Sequence, residues 1–532
     1  MTWGEQMKTR CGMLLLVLAI TAVADKPVAL YQGLGNWHHS IATKSAEAQR
    51  FFDQGLTLAY GFNRYEALRS FRKAADLDPN APMPYWGMAL AQGPYINMDG
   101  DPSFDLKGAC AAVDAGLKLK NAAEREAAYL HAAQSLCPEY RGEAYAAAMK
   151  KLAEQYPDDP DAQTIYAESL MIPVRWHWYD AQGVAAPGVS DAEHALEEVL
   201  RRWPQHPGAN HYYIHAVESS RTPERAVASS QRLMGIVPWA GHIVHMPGHI
   251  WLVLGDWEAA ATVNERAVAV DREFLAATEE MGGSYTPYYV HNLHFVMYAR
   301  AMQGRKADAL KAADELNAAM KPMAEAMPEM ADSFLSVPVL TYVRFGEWQT
   351  ILKRPHPDEA MKSSLATWRY ARAMALAGLG DKAGAERERN IFEELREKIP
   401  AAAAWGQNNA RKVMEMASEV LAARLASSAE EAVSHWARAV DFQDNFVYDE
   451  PPAWYFQLRE SLSAALLRAG KGGEAEKVAR DGVKRSPHNG RMLFVLLESL
   501  KAQGKETDAE WVKREFEASW AKADVKLSLS DF

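Results

Sequence analysis

At 532 residues the chain is too long for one compact core, which leaves several domains or one extended repeat array. Hydrophobic residues make up 48%, alanine is the commonest residue and apolar positions recur at helical spacing, so a β-rich architecture is excluded. The net charge of -11, with no dense basic stripe to offset it, excludes a nucleic-acid backbone as the main partner.

The N-terminal stretch "MTWGEQMKTRCGMLLLVLAITAVADKP" sets Lys8 and Arg10 before an apolar run, 13–20, and ends it with Ala22 and Ala24 around Val23. That is the order of an export signal cleaved after Ala24, so 1–24 is expected to be a signal peptide and the mature protein periplasmic or secreted. The run is shorter than the roughly 20 apolar residues a bilayer core requires, and no stable membrane insertion is expected after cleavage. Two cysteines then remain, Cys110 and Cys137. If 104–119 and 123–136 pair as antiparallel helices, Cys110 faces Ala132, more than a turn from Cys137, and both are expected as buried unpaired thiols.

From Gly55 the chain reads "GLTLAYGFNRYEALRSFRKAADLDPNAPMPYWGMALAQG": a helix ending near Tyr60, a tight turn, a second helix with Ala67, Phe71 and Ala74, then a stop at "LDP". The outline returns at 255–271, 304–316, 346–352, 380–392, 470–487 and 504–520, with degenerate copies at 161–203 and 209–238. It resembles the tetratricopeptide (TPR) repeat. The resemblance implies an all-α, TPR-like α-solenoid, a superhelix of stacked antiparallel helix pairs whose first helices line a concave groove for a small molecule or peptide. We divide the mature chain into N-terminal repeats over 25–203, central histidine-bearing repeats over 204–320 and C-terminal repeats over 321–532.

The central repeats depart from ordinary packing. Aligned on Ala226, Ala260 and Ala309, the units have Arg221, Gly255 and Gly304 as equivalent positions. Ten residues earlier stand His211, His245 and His294; six earlier, His215, His249 and Tyr298; thirteen earlier in the later two units, His242 and His291. At about 100° per residue these offsets share one helix face, and Glu218 extends the first stripe as H-x-x-x-H-x-x-E. Equal register on neighbouring helices about 8–10 Å apart lets the imidazoles converge. Other units carry Phe52 and Leu56, Ser336 and Leu340, Tyr370 and Met374, or Glu460 and Ala464 at the ten- and six-residue positions, so packing does not demand histidine.

His211, His215, Glu218, His242, His245, His249, His291 and His294 are therefore the expected metal ligands, for one or two transition-metal ions. Neutral imidazole suits zinc, copper or iron, and the absence of thiolates favours copper. Pro247, between His245 and His249, must kink or restart its helix and could turn His242 and His245 towards a different ion from His249. His177 is a candidate extra ligand, and Asn210 and Asn292 candidate orienting groups. In "NFVYDEPPAWYF", 445–456, Asp449 and Glu450 read as caps of a helix starting at Pro452; should the superhelix bring this segment across the groove, Glu450 becomes a catalytic carboxylate beside Glu218.

The stretches "HYYIHAVE", "GHIVHMPGHIW" and "YYVHNLHF", with "FNRYEALRSF" and "WYFQLRESLSAALLRAG", resemble a histidine-bearing group of exported bacterial TPR proteins. The resemblance implies an envelope setting and a shared site but names no reaction. No H-E-x-x-H helix, G-x-S-x-G turn or phosphate-binding glycine loop is present. A metal-dependent enzyme, oxidative or hydrolytic, is the leading expectation; a metal carrier or a peptide-binding adaptor is the alternative.

Overall fold

The computed structural model describes residues 28–98, 103–120, 122–180, 182–278, 285–326 and 328–532. The expected signal peptide lies outside the described residues. Within them the chain forms 25 α-helices, and the one sheet is a two-stranded hairpin, Ala404–Trp405 against Asn408–Asn409. The fold is an all-α solenoid.

Each unit is built locally. Ser45 caps the helix Ala46–Tyr60 by accepting from the Ala48 amide, and Asn63 caps its partner Arg64–Leu77 through the Glu66 amide. Phe52 and Phe71 meet between the two with ring centroids 5.4 Å apart, and both are fully buried. The pattern repeats in the later pairs Lys362–Gly378 with Lys382–Arg396 and Gly490–Lys501 with Glu506–Ser519. Buried side chains form a core running from Leu34 to Ala331, a second from Val296 to Ala475 and a third from Ala464 to Phe532, overlapping along the chain as stacked repeats require.

The superhelix also closes on itself. Gly255, at φ +77°, ends one first helix in the left-handed conformation and lies so near the Pro487 carbonyl that a Cβ there would approach it to 2.1 Å. Gly304, at φ +71°, is likewise covered by the Trp520 ring. Trp257 Nε1 donates to the His488 carbonyl (3.1 Å), and Asp524 accepts from the Lys306 and Ala307 amides (2.7 and 2.9 Å). Contacts across more than 200 residues thus press the C-terminal repeats onto the histidine-bearing ones.

Two expectations are corrected. Cys110 and Cys137 form a disulfide, with Cα atoms 5.6 Å apart. The second helix, Glu124–Gln134, ends earlier than the pattern suggests, and successive tight turns from Ser135 to Cys137 carry the thiol back to its partner. No helix starts at Pro452 either; the next one begins at Arg459, and Glu450 caps nothing.

Candidate metal centre

Three first helices carry the site. Pro207–Glu218 is buried along its whole length and presents His211, His215 and Glu218. His206 Nδ1 caps it by accepting from the Ala209 amide at 3.0 Å. The second helix runs Gly241–His245, then Pro247–Leu254, and Thr286–Met302 brings His291 and His294.

The ligand atoms of His211, His215 and His242 lie within 4.8 Å of one another, as do those of His245, His249 and His291. A third set within the same distance, His215, Glu218, His249 and Glu450, links the two. His242 and His211 bring their Nε2 atoms to 3.1 Å; His249 and His245 bring theirs to 2.6 Å. Pro247 does not separate His245 from His249, which flank it and stay together; His242, on the same side of Pro247 as His245, falls in the other trio. Met246 keeps helical torsions (φ -50°, ψ -38°), so the four-residue alignment of His245 with His249 survives.

Hydrogen bonds to Nδ1 orient four of the rings, His211, His215, His245 and His249. His211 Nδ1 meets the Tyr60 carbonyl at 2.6 Å and must donate to it, which leaves Nε2 as a lone pair. His245 Nδ1 lies 2.7 Å from Asn264 Oδ1, and the Asn264 amide is oriented by its own bond to the Ala260 carbonyl (2.8 Å). His215 Nδ1 faces Glu218 Oε1 at 2.8 Å, and its Nε2 is buried without a protein partner. His249 Nδ1 lies 2.5 Å from both Glu218 Oε2 and Glu450 Oε2. An oxygen acceptor thus stands behind four of the six imidazoles, His211, His215, His245 and His249, the arrangement that fixes metal-binding histidines.

The electrostatics are lopsided. Burial holds His215 and His291 down at about 3 and pushes His211, His242 and His245 well below the usual imidazole range. Burial acts the same way on His249, but Glu450 and Glu218 outweigh it and lift the ring to about 10. The side-chain partners of the two carboxylates are His215, His249 and Tyr448 among the described residues, with no lysine or arginine. Two buried carboxyl groups therefore face imidazole rings and a phenol with no basic side chain beside them.

Glu450 reaches this point from about 200 residues away because the hairpin around Gly406 pins its segment. Gln407 N–H donates to Asp449 (3.0 Å), Trp405 Nε1 to the Ala453 carbonyl (2.9 Å), and Tyr448 Oη to Glu450 (2.9 Å). His294 belongs to neither histidine trio; its ring lies beside Phe334. His177 is exposed, Asn210 bonds to the Pro204 and His206 carbonyls, and Asn292 bonds to Asp271. The orienting groups are instead Asn264 and the Tyr60 carbonyl. Asn264 sits on the second helix of its unit, four residues past Ala260, and its polar side chain at a packing position was the available signal. Phe62, in the left-handed conformation at φ 58°, lies against His211, His215 and His242 with centroids 4.4–5.9 Å apart, and Phe295 lies against His245, His249 and His291.

No family model matches the chain, and no curated protein does. Among solved structures the chain is similar to the human IFIT1 dimer with PPP-AAAA, at 12% identity over 90% of this chain and 91% of that one, with a TM-score of 0.33. Yeast Tom70 matches at 10% identity over 88% and 90% (TM-score 0.29), and the P58(IPK) TPR domain at 11% over 87% and 99% (TM-score 0.20). Among the described residues no helix is long and apolar enough to cross a membrane.

Proposed function

We propose that this protein is an exported TPR-like metalloenzyme holding two first-row transition-metal ions. His211, His215 and His242 would bind one and His245, His249 and His291 the other, with Glu218 and Glu450 between. The observation that carries this is the pair of buried carboxylates set against neutral imidazoles whose lone pairs converge, since divalent cations neutralise the one and use the other. Two nitrogens on one tetrahedral ion at about 2.0–2.1 Å stand a little over 3 Å apart, close to the separation of His211 and His242. All-nitrogen and carboxylate donors favour copper, with zinc or iron next. Bound ions would supply Lewis acidity or redox capacity. The chain's own part is to hold the imidazoles in one tautomer, exclude water with Phe62 and Phe295, and offer Glu218 or Glu450 as a proton acceptor. The Cys110–Cys137 disulfide supports an oxidising compartment.

The test is elemental analysis of the purified full chain beside His215→Ala and His245→Ala. About two ions per chain, falling in each variant, is the expected result; near-zero metal in all three overturns the reading.

A peptide-binding adaptor is the second reading, favoured by one observation. The segment 527–532 sits on first helices of the C-terminal repeats. Arg424, Arg468 and Arg491 donate to the carbonyls of Phe532, Leu529 and Asp531 at 2.6–2.9 Å, and the buried Phe532 ring stacks on Phe494. These contacts support a surface on the C-terminal repeats that takes an extended peptide segment.

A further inference from the structure

Away from the histidines lies an open cleft of about 560 Å³ that shares no residue with the centre. The segment 37–40, Arg125 on the helix Glu124–Gln134 and the turn 155–161 leading into the helix Pro160–Met171 build it, and Trp203, at the end of the helix Val189–Arg202, completes it. Three half-buried aromatic rings, Trp37, Tyr156 and Trp203, line it together with Pro157 and Pro160.

The charges in these walls are already matched. Asp158 pairs with Arg202, Asp159 stands 3.7 Å from Arg125, and Asp161 meets His39 at 2.8 Å and His206 at 3.2 Å. His38 likewise faces Asp53 at 2.8 Å. A charged ligand would give up its hydration here without meeting an uncommitted counter-charge. His39, Asp159 and Asp161 bring ligand atoms within 4.8 Å of one another, yet both Asp161 oxygens are occupied, Oδ1 by Trp37 Nε1, Tyr60 Oη and His206 Nε2 and Oδ2 by His39 Nδ1, so a metal ion would have to displace them.

Two buried atoms of the lining residues are unmatched. His39 Nε2 and Asp159 Oδ2 have no hydrogen-bond partner, on side chains only 4% and 5% exposed. A hydroxyl, or a water held beneath one, can serve both, because the same oxygen donates and accepts. Gln155 and Ser40, both exposed in the lining, add uncharged groups of the same double character. Indole and phenol rings in turn take the apolar faces of a ligand. The volume falls within the roughly 300–1,000 Å³ of ligand sites.

We propose that this cleft binds a short neutral oligosaccharide, with its sugar rings against Trp37, Tyr156 and Trp203 and a hydroxyl directed at His39 and Asp159. A saccharide joins the three properties the lining calls for: ring faces without charge, many hydroxyls, and a length that fits an open cleft. The inference stands apart from the metal reading, since no residue is common to the two sites.

Calorimetry and tryptophan fluorescence on the full chain provide the test. Maltotriose, cellotriose and triacetylchitotriose are the neutral probes; trigalacturonate is the anionic control and the glucosamine trimer the cationic one. At least one neutral trisaccharide should bind saturably at millimolar concentration or below, and both charged trimers should bind about tenfold weaker or more. Tyr156→Ala removes one ring from the lining and should weaken the neutral ligand about tenfold or more. Ser40→Trp, which fills the cleft from an exposed position, should do the same and is the deciding variant should Tyr156→Ala misfold by circular dichroism. Absence of saturable binding by all three neutral probes, discrimination against either charged trimer below tenfold, or a loss below tenfold in a folded variant overturns the proposal.

Discussion

Glu218→Gln is the sharpest perturbation of the centre. The carboxylate accepts at both oxygens, from His215 Nδ1 at 2.8 Å and His249 Nδ1 at 2.5 Å, and so orients one imidazole of each trio. Glutamine keeps the shape but turns one acceptor into an NH₂ group facing an imidazole N–H, and it removes one of the two buried negative charges. Loss of such a supporting partner costs about 10–100-fold in metal affinity, or about 1.4–2.8 kcal/mol, and here both ions should feel it. Competition with a chromophoric chelator at fixed pH, paired with metal counting, measures the two affinities. Wild-type affinities within twofold in Glu218→Gln would falsify the bridging role. Weakening of one ion alone would show that only one trio depends on it.

Three further outcomes are expected. Asn264→Leu keeps the volume and removes the acceptor behind His245, so binding in that trio should weaken about 10–100-fold by the same titration, with the other trio unchanged. Cys110→Ser with Cys137→Ser opens a loop of sequence separation 27 and should cost about 3–4 kcal/mol, read as a lowered denaturant midpoint under non-reducing conditions. Asp161→Asn strips the buried carboxylate of its charge toward His39 (2.8 Å) and His206 (3.2 Å), with Tyr60 Oη and Trp37 Nε1 also donating to it, and should cost about 3 kcal/mol. Burial would raise the Asp161 carboxyl, but hydrogen bonds from His206 and His39 hold it well below the usual range, so its contribution is complete above about pH 4 and is lost in acid. Burial would lower His39, but Asp161 raises it, so that contribution is complete below about pH 6.5 and fades above. The difference in melting temperature between Asp161→Asn and the parent should therefore peak near pH 5–6 and shrink by pH 9; a flat difference would show that the ion pair is not its source.

Much of the site was legible because histidine at a packing position is a local anomaly. His211, His215, His245, His249 and His291 stand out once the repeats are aligned, and a helix face is a matter of counting residues. Glu450 was legible only as an oddity, beside two prolines that suggested a capped helix. Asn264 and the Tyr60 carbonyl were missed, the first because a single asparagine on a second helix looks like many others, the second because a backbone oxygen carries no side-chain signal. The disulfide was misjudged for a related reason. Spacing places residues on an ideal helix, whereas the turn from Ser135 to Cys137 leaves that helix and shortens the distance.

Helical periodicity, the glycines that end several first helices, such as Gly255 and Gly304, and the shared register of the imidazoles are short-range properties, set by backbone geometry within a few dozen residues, and the amino-acid order alone determined them. Closure of the superhelix is of another kind. Whether Pro487 meets Gly255, Trp520 covers Gly304 and Glu450 arrives at His249 depends on small rotations accumulated over many stacked units, which no local pattern encodes. Only the tertiary structure decided that seven-residue stripes become two trios with carboxylates between them.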